Sequence, residues 1–171
     1  MADVLTSEQR SRCMAAIKGK DTKPEMIVRK YLFSRGLRYR LHVKKLPGSP
    51  DIVLPKYKTV IFVDGCFWHG HEGCRHYRLP KTNTDFWRTK IERNISRDIR
   101  TEAELTLLGW SVIRVWECEV RPASSRLDNL RNIYEEIVSP QQKYLYGYDH
   151  DPEDDIPLAA EPDERYGNQD S

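Results

Sequence analysis

No apolar stretch of this 171-residue chain runs long enough, free of charge, to cross a bilayer, and no apolar export segment stands near its start. These absences argue against membrane insertion and secretion, and they make a cytoplasmic protein the expectation. Cysteine is scarce, with four in all: Cys13, Cys66, Cys74 and Cys118. Two disulfides are open by count alone, but in a reducing compartment clustered Cys and His favour a metal. Cys13 is left over as a packing residue. Internal repeats are absent, and 171 residues with 39% hydrophobic content suit one domain with a real core.

Net charge is small, +2, but it is unevenly spread. From Asp149 onward there are nine acids and one base, Arg165, so 17 acids and 27 bases precede them. The body therefore carries +10 and the tail −8. A basic body holding four Trp and nine Tyr suits a polyanion partner, because Lys and Arg gain affinity by releasing phosphate counterions. Ordinary solubility charge is the competing explanation. The tail, acidic and proline-containing without periodicity, reads as disordered. The domain is expected over 1–140, with 1–20 as an N-terminal arm and 141–171 as the tail.

Alternating helix and strand signals run between those ends. Ser7–Lys18 has the composition of a short basic helix. Thr22-Lys23-Pro24-Glu25 is a capping box with proline in the first turn, and it opens a helix that Gly36 ends. Strands are expected at Leu37–Val43, Asp51–Leu54 and Thr59–Val63, separated by Pro47-Gly48-Ser49-Pro50 and Pro55-Lys56-Tyr57-Lys58. A long helix, capped by Asp85, ends at Leu108 before Gly109. Its apolar face carries Trp87, Ile91, Ile95 and Leu105, with Asp98 inside the stripe. Trp110–Trp116 reads as a buried strand and Ser125–Val138 as a last helix.

Residues 64–74 concentrate the chemistry: Asp64-Gly65-Cys66-Phe67-Trp68-His69-Gly70-His71-Glu72-Gly73-Cys74. Cys66, His71 and Cys74 are spaced for soft-ligand zinc coordination, and Cys118 completes a Cys3His tetrahedron. That fills a structural site and leaves His69 outside it, beside Phe67 and Trp68. Pro50-Asp51, an apolar strand and Val60-Ile61-Phe62-Val63-Asp64 follow the core of the PD-(D/E)xK nuclease pattern. Carboxylates on two adjacent strands there share a divalent cation, which needs hard oxygen ligands. The lysine that often stands two residues after the second acid is missing; Cys66 occupies that position. Turn punctuation is the competing reading of Pro50-Asp51.

Arg10-Ser11-Arg12-Cys13-Met14, Asp21–Glu25, Leu46–Asp51, Asp64–Cys74, Asp85-Phe86-Trp87, Asn94–Asp98 and Gly109–Cys118 occur in an order that resembles the Vsr very-short-patch mismatch endonucleases, over about residues 1–120. The resemblance implies an α/β fold of the restriction-endonuclease-like, PD-(D/E)xK type: a mixed central sheet flanked by helices, with a structural zinc. It implies a monomeric enzyme that nicks double-stranded DNA beside the thymine of a T:G mismatch with Mg2+, working with other mismatch-repair proteins. Carried over, Asp51 is the metal carboxylate, Val63 offers a backbone carbonyl, His69 is the catalytic histidine, and Glu25 and Asp98 are supporting acids. Cys66, His71, Cys74 and Cys118 hold zinc. Phe67, Trp68, Trp87 and Met14 enter the DNA beside the mismatch.

The chain departs from the family pattern twice. Asp64 stands where that pattern has a histidine, so Asp64 is expected either as a second Mg2+ carboxylate or in the histidine's place. One extra residue separates His71 from Cys74, which Glu72-Gly73 can absorb. Other readings accompany several residues: Glu25 as capping acid alone, Asp98 as partner of a core-facing arginine, Phe67 and Trp68 as core. His42, His76 and His150 read as surface. For the whole chain, the alternatives are a zinc-stabilised DNA-binding module without cleavage and a nuclease with another DNA substrate, such as a restriction enzyme.

Overall fold

In a computed structural model, the described residues are 19–139 together with Glu8 and Arg12. Most of the N-terminal arm, including Cys13 and Met14, and all of the acidic tail, including His150, lie outside them.

Helix α1, Lys23–Ser34, begins as its sequence demands. The Thr22 hydroxyl accepts from the Glu25 N–H at 3.4 Å, while the Glu25 carboxylate accepts from the Thr22 N–H at 3.4 Å. Two otherwise unpartnered helix-end donors are thereby satisfied. Gly36, with φ +83°, lets the chain leave the helix end in a conformation costly for other residues.

The sheet has four strands: β1 (Arg40–Leu41), β2 (Ile52–Leu54), β3 (Thr59–Asp64) and β4 (Ser111–Trp116). Their spatial order is β1-β2-β3-β4, with the first two pairings antiparallel and β3–β4 parallel. A parallel pair needs a crossover. Here it contains the cysteine loop and helix α2, Thr84–Leu107. A single turn, α3 (Glu117–Val120), and helix α4 (Ala123–Val138) close the chain's described part.

Side chains alternate across each strand and sort the core into two layers. Ile61, Ile113 and Val115 face α1 and α4, packing with Val28, Leu32, Leu130, Ile133 and Ile137. Val53, Val60 and Leu105 form the other layer with Phe62, Val112 and Trp110 around them. Phe62 pairs with Arg114 and Asp64 with Trp116 in the β3–β4 register, which puts Asp64 and Arg114 on this second face.

Three expectations change. The strand expected over Leu37–Val43 shrinks to Arg40–Leu41, because His42 takes the left-handed conformation (φ +47°) and breaks the extended run. Asn83, also left-handed, is the N-cap of α2; Asp85 lies in its first turn, where its charge complements the helix dipole. The last helix, expected over Ser125–Val138, begins two residues earlier, at Ala123.

Candidate active site and metal centre

The loop after β3 is pinned between the sheet and α2. Gly70, at φ +64°, approaches the helix so closely that a Cβ there would lie 2.6 Å from Ile95 Cδ1. The Asn94 amide donates to the Trp68 carbonyl at 2.9 Å, tying the loop to α2 a second time. His69 is therefore aimed by backbone that cannot easily drift.

Both nitrogens of the His69 ring face carboxylates. Nδ1 lies 2.5 Å from Asp98 Oδ2 and Nε2 lies 3.5 Å from Asp64 Oδ1. Burial pushes the imidazolium pKa down, but the Asp98 hydrogen bond and the charges of Asp64 and Asp98 outweigh it, so the pKa is raised. Asp64 also binds the Arg114 guanidinium, which lies 3.8 Å from Asp98 as well. Burial pushes Asp64 up, against the opposing charges of His69 and Arg114. Asp98 thus lies 2.5 Å from the histidine and 3.8 Å from the arginine.

Asp51 stands at the start of β2, one strand over. Its Oδ2 accepts from the Val63 N–H at 2.8 Å, which brings it to the backbone just before Asp64. Burial first, then the charges of Glu25 and Asp64, push its pKa up to about 6. A carboxylate so placed is short of positive charge. Hard oxygen donors crowded by other acids fit a small divalent cation, and the Val63 carbonyl is carried on the residue that Asp51 already holds.

Behind Asp51 lies an ion-pair cluster. Glu25, 2% exposed, meets Arg29 at 3.0 Å and His42 Nε2 at 3.2 Å. Arg29 also reaches Asp21 at 2.5 Å, and His42 Nδ1 lies 3.8 Å from Asp51. His42 is thus not the surface residue expected; the left-handed turn at its own position folds it inward between two acids. Burial lowers its pKa. Glu25 caps α1 and faces the site at once, and Arg29 already supplies the cluster's positive charge. His76 is exposed, as expected.

Cys66, His71, Cys74 and Cys118 bring their ligand atoms within 4.8 Å of one another, so this group can hold a metal ion. Three thiols and one imidazole are a soft donor set in the right number for a closed tetrahedral zinc site. The supports are local. The His71 ring stacks on Trp116 with centroids 4.1 Å apart and planes nearly parallel, and the Cys66 N–H donates to Glu117 at 3.2 Å. Burial pushes the Cys66 thiol up to about 12, a cost that a cation beside the thiolate would remove. Between His71 and Cys74 the chain turns at Gly73, φ +71°.

Phe67, Trp68 and Trp87 meet edge to face, with ring centroids 5.2–6.0 Å apart. Phe67 and Trp68 are half-buried, whereas Trp87 is only 8% exposed and backs the other two. Two neighbours escaped the sequence reading. Phe86 stands 60% exposed against Trp87, and the Lys90 ammonium sits 5.3–5.9 Å from the Trp68, Phe86 and Trp87 rings. The signals were present, in an aromatic beside Trp87 and a cation one turn on. Arg114 was missed too, although an arginine inside an otherwise apolar strand is a cue that something buried and acidic faces it.

A sequence model of the family described as DNA mismatch endonuclease Vsr matches residues 2–75. The chain is 50% identical over 137 residues to the type II nicking enzyme V.NmeAIP of Neisseria meningitidis, covering 80% of this chain and 97% of that relative. It is 50% identical over 133 residues to the type II nicking enzyme V.XorIIP of Xanthomonas oryzae, covering 78% and 97%. The DNA mismatch endonuclease Vsr of Escherichia coli is 45% identical over 121 residues, covering 71% and 77%.

Proposed function

The chain belongs to the DNA mismatch endonuclease Vsr family, and from that premise we propose that it is a Mg2+-dependent enzyme which nicks DNA beside the mismatched thymine of a T:G pair, in very short patch repair. It is a DNA endonuclease, of the mismatch or nicking kind. The observation that carries the finer reading is the convergence at the end of β3: Asp51 on the Val63 backbone, and His69 between Asp98 and Asp64. We read the sheet as the restriction-endonuclease-like core, residues 1–140 as the domain, and the Cys3His group as a structural zinc site.

Asp51 and the Val63 carbonyl would hold Mg2+; Asp64, the next residue along β3, is the other candidate carboxylate. Bound there, Mg2+ supplies charge neutralisation at the scissile phosphate and a more acidic water. His69 exchanges a proton at Nε2 with the attacking water or the leaving oxygen, while Asp98 fixes the ring through Nδ1. Glu25 supports Asp51 through the charged cluster around His42 and Arg29. Phe67 and Trp68 act as apolar wedges, backed by Trp87 and joined by Met14 from the arm. A T:G wobble stacks weakly, so wedging it apart costs less than unstacking a matched pair.

Nicking of a T:G duplex against a T:A duplex of the same sequence, with and without Mg2+, tests the reading. Mg2+-dependent nicking confined to the T:G duplex supports it. Binding without cleavage favours the zinc-stabilised module, and equal cleavage of both duplexes favours a nuclease with another substrate.

A further inference from the structure

We propose that Arg114 is a positioning residue for this reaction: it holds Asp64 on His69 and away from the cation, so that Asp64 orients the histidine while Asp51 ligates the metal. The inference rests on the nuclease reading above.

The β3–β4 register places Arg114 opposite Phe62, one pair back from Asp64 on the same face of the sheet. From there the guanidinium binds Asp64 Oδ2, passes 3.8 Å from Asp98 and reaches Glu102 at 3.8 Å. Its carbon lies 5.6 Å from the Phe62 ring centroid, so the aromatic face limits where the planar group can go. The other oxygen of Asp64, Oδ1, points at His69 Nε2. Arg114 therefore binds Asp64 and lies 3.8 Å from Asp98, while Asp64 Oδ1, 3.5 Å from His69 Nε2, acts on the ring through its charge and leaves that nitrogen open for proton exchange.

The two candidate metal carboxylates differ in what already occupies them. Asp64, 6% exposed, has one oxygen on a guanidinium and the other facing the histidine. Asp51 has one oxygen on a single backbone N–H, and its other oxygen lies 3.8 Å from an imidazole. A divalent cation competes poorly for a buried carboxylate that a guanidinium has neutralised, and well for one that is short of positive charge. Asp51 ligates and Asp64 orients.

The test compares wild type, Asp64→Asn, Arg114→Gln, Arg114→Lys and the double variant Asp64→Asn/Arg114→Gln, all loaded with zinc. Mn2+ binding, read by electron paramagnetic resonance without DNA, should stay within about twofold of wild type in Asp64→Asn. It should be unchanged or tighter in Arg114→Gln, where Asp64 is released. Nicking by Arg114→Gln should lose about 10- to 100-fold in kcat with little change in KM for DNA, and Arg114→Lys should recover part of it. Removing one partner leaves a buried charge, so Arg114→Gln is the variant at risk of misfolding. The double variant has no unpaired charge, and it should nick within about threefold of Asp64→Asn, because Arg114 acts through Asp64.

Three results would overturn the proposal: Mn2+ binding at least about tenfold weaker in Asp64→Asn; wild-type kcat in a folded Arg114→Gln; or a double variant about tenfold slower again than Asp64→Asn. A wild-type protein that fails to nick the T:G duplex would sink the nuclease reading instead. The Mn2+ comparison would still show whether Arg114 keeps Asp64 off the cation.

Discussion

Asp51→Asn should make the protein more stable at neutral pH when Mg2+ is withheld. Burial and the neighbouring acids raise the Asp51 carboxyl to about 6 from the usual 3.8, so in the window between those values the folded chain keeps a proton that the unfolded chain has released. Stability therefore falls as pH rises through that window, and above it the whole penalty stands. The gap corresponds to about 3 kcal/mol at most. With the side chain 21% exposed, water relieves part of this, leaving on the order of 1–2 kcal/mol. Asparagine keeps an oxygen for the Val63 N–H and carries no charge, so the variant should melt roughly 2–8 °C higher at pH 7.5. At pH 5, inside the window, the difference should shrink to about half. Mg2+ should raise the melting temperature of wild type and leave the variant unmoved, since only the state with an intact site gains binding energy. Circular dichroism melts in buffer stripped of divalent ions by resin serve here, because soluble chelators also take zinc. A variant that melts below wild type at pH 7.5, or shows the same gain at both pH values, refutes the reasoning.

The remaining predictions concern the metal centre, the wedge and the tail. Purified reduced protein should hold one zinc per chain, and Cys66→Ala or Cys118→Ala should lose metal and fold together, since such sites contribute on the order of 10 kcal/mol; a folded, zinc-free sample by metal analysis contradicts this. Trp68→Ala should weaken T:G duplex binding by about 5- to 150-fold, the worth of one stacking side chain, with less effect on a matched duplex; equal losses on both duplexes in fluorescence anisotropy would remove its wedge role. Deleting residues 149–171 removes nine acids and one base, taking the net charge from +2 to +10. DNA binding should tighten and depend more steeply on salt, and a truncated chain that binds more weakly would show that the tail assists binding.

Much of this site was legible because most of its parts are local. The capping box of Thr22 and Glu25, the Cys66, His71 and Cys74 spacing and the strand expected over Thr59–Val63 each depend on residues close in sequence, and each is present; only Cys118 joins its group from far along the chain. Gly109 ends the long helix through its own backbone preference, with φ +79°. The partnerships were less legible because they are not local. Arg114 meets Asp64 across 50 positions through the parallel β3–β4 register, and His69 meets Asp98 across 29 through the packing of the loop on α2; side-chain type encodes neither. His42 reads as polar loop until a left-handed turn folds it between Glu25 and Asp51. Trp87 reads equally as wedge or core, and its 8% exposure places it behind Phe67 and Trp68 in the free protein.

The central claim is that Asp51 anchors the chemistry rather than the fold or the grip on DNA. Its most direct test is single-turnover nicking of a T:G duplex by wild type and Asp51→Asn at saturating Mg2+, with binding of the same duplex measured alongside. Nicking should fall by about three orders of magnitude or more while binding holds within a few-fold. Wild-type nicking by Asp51→Asn would contradict the account.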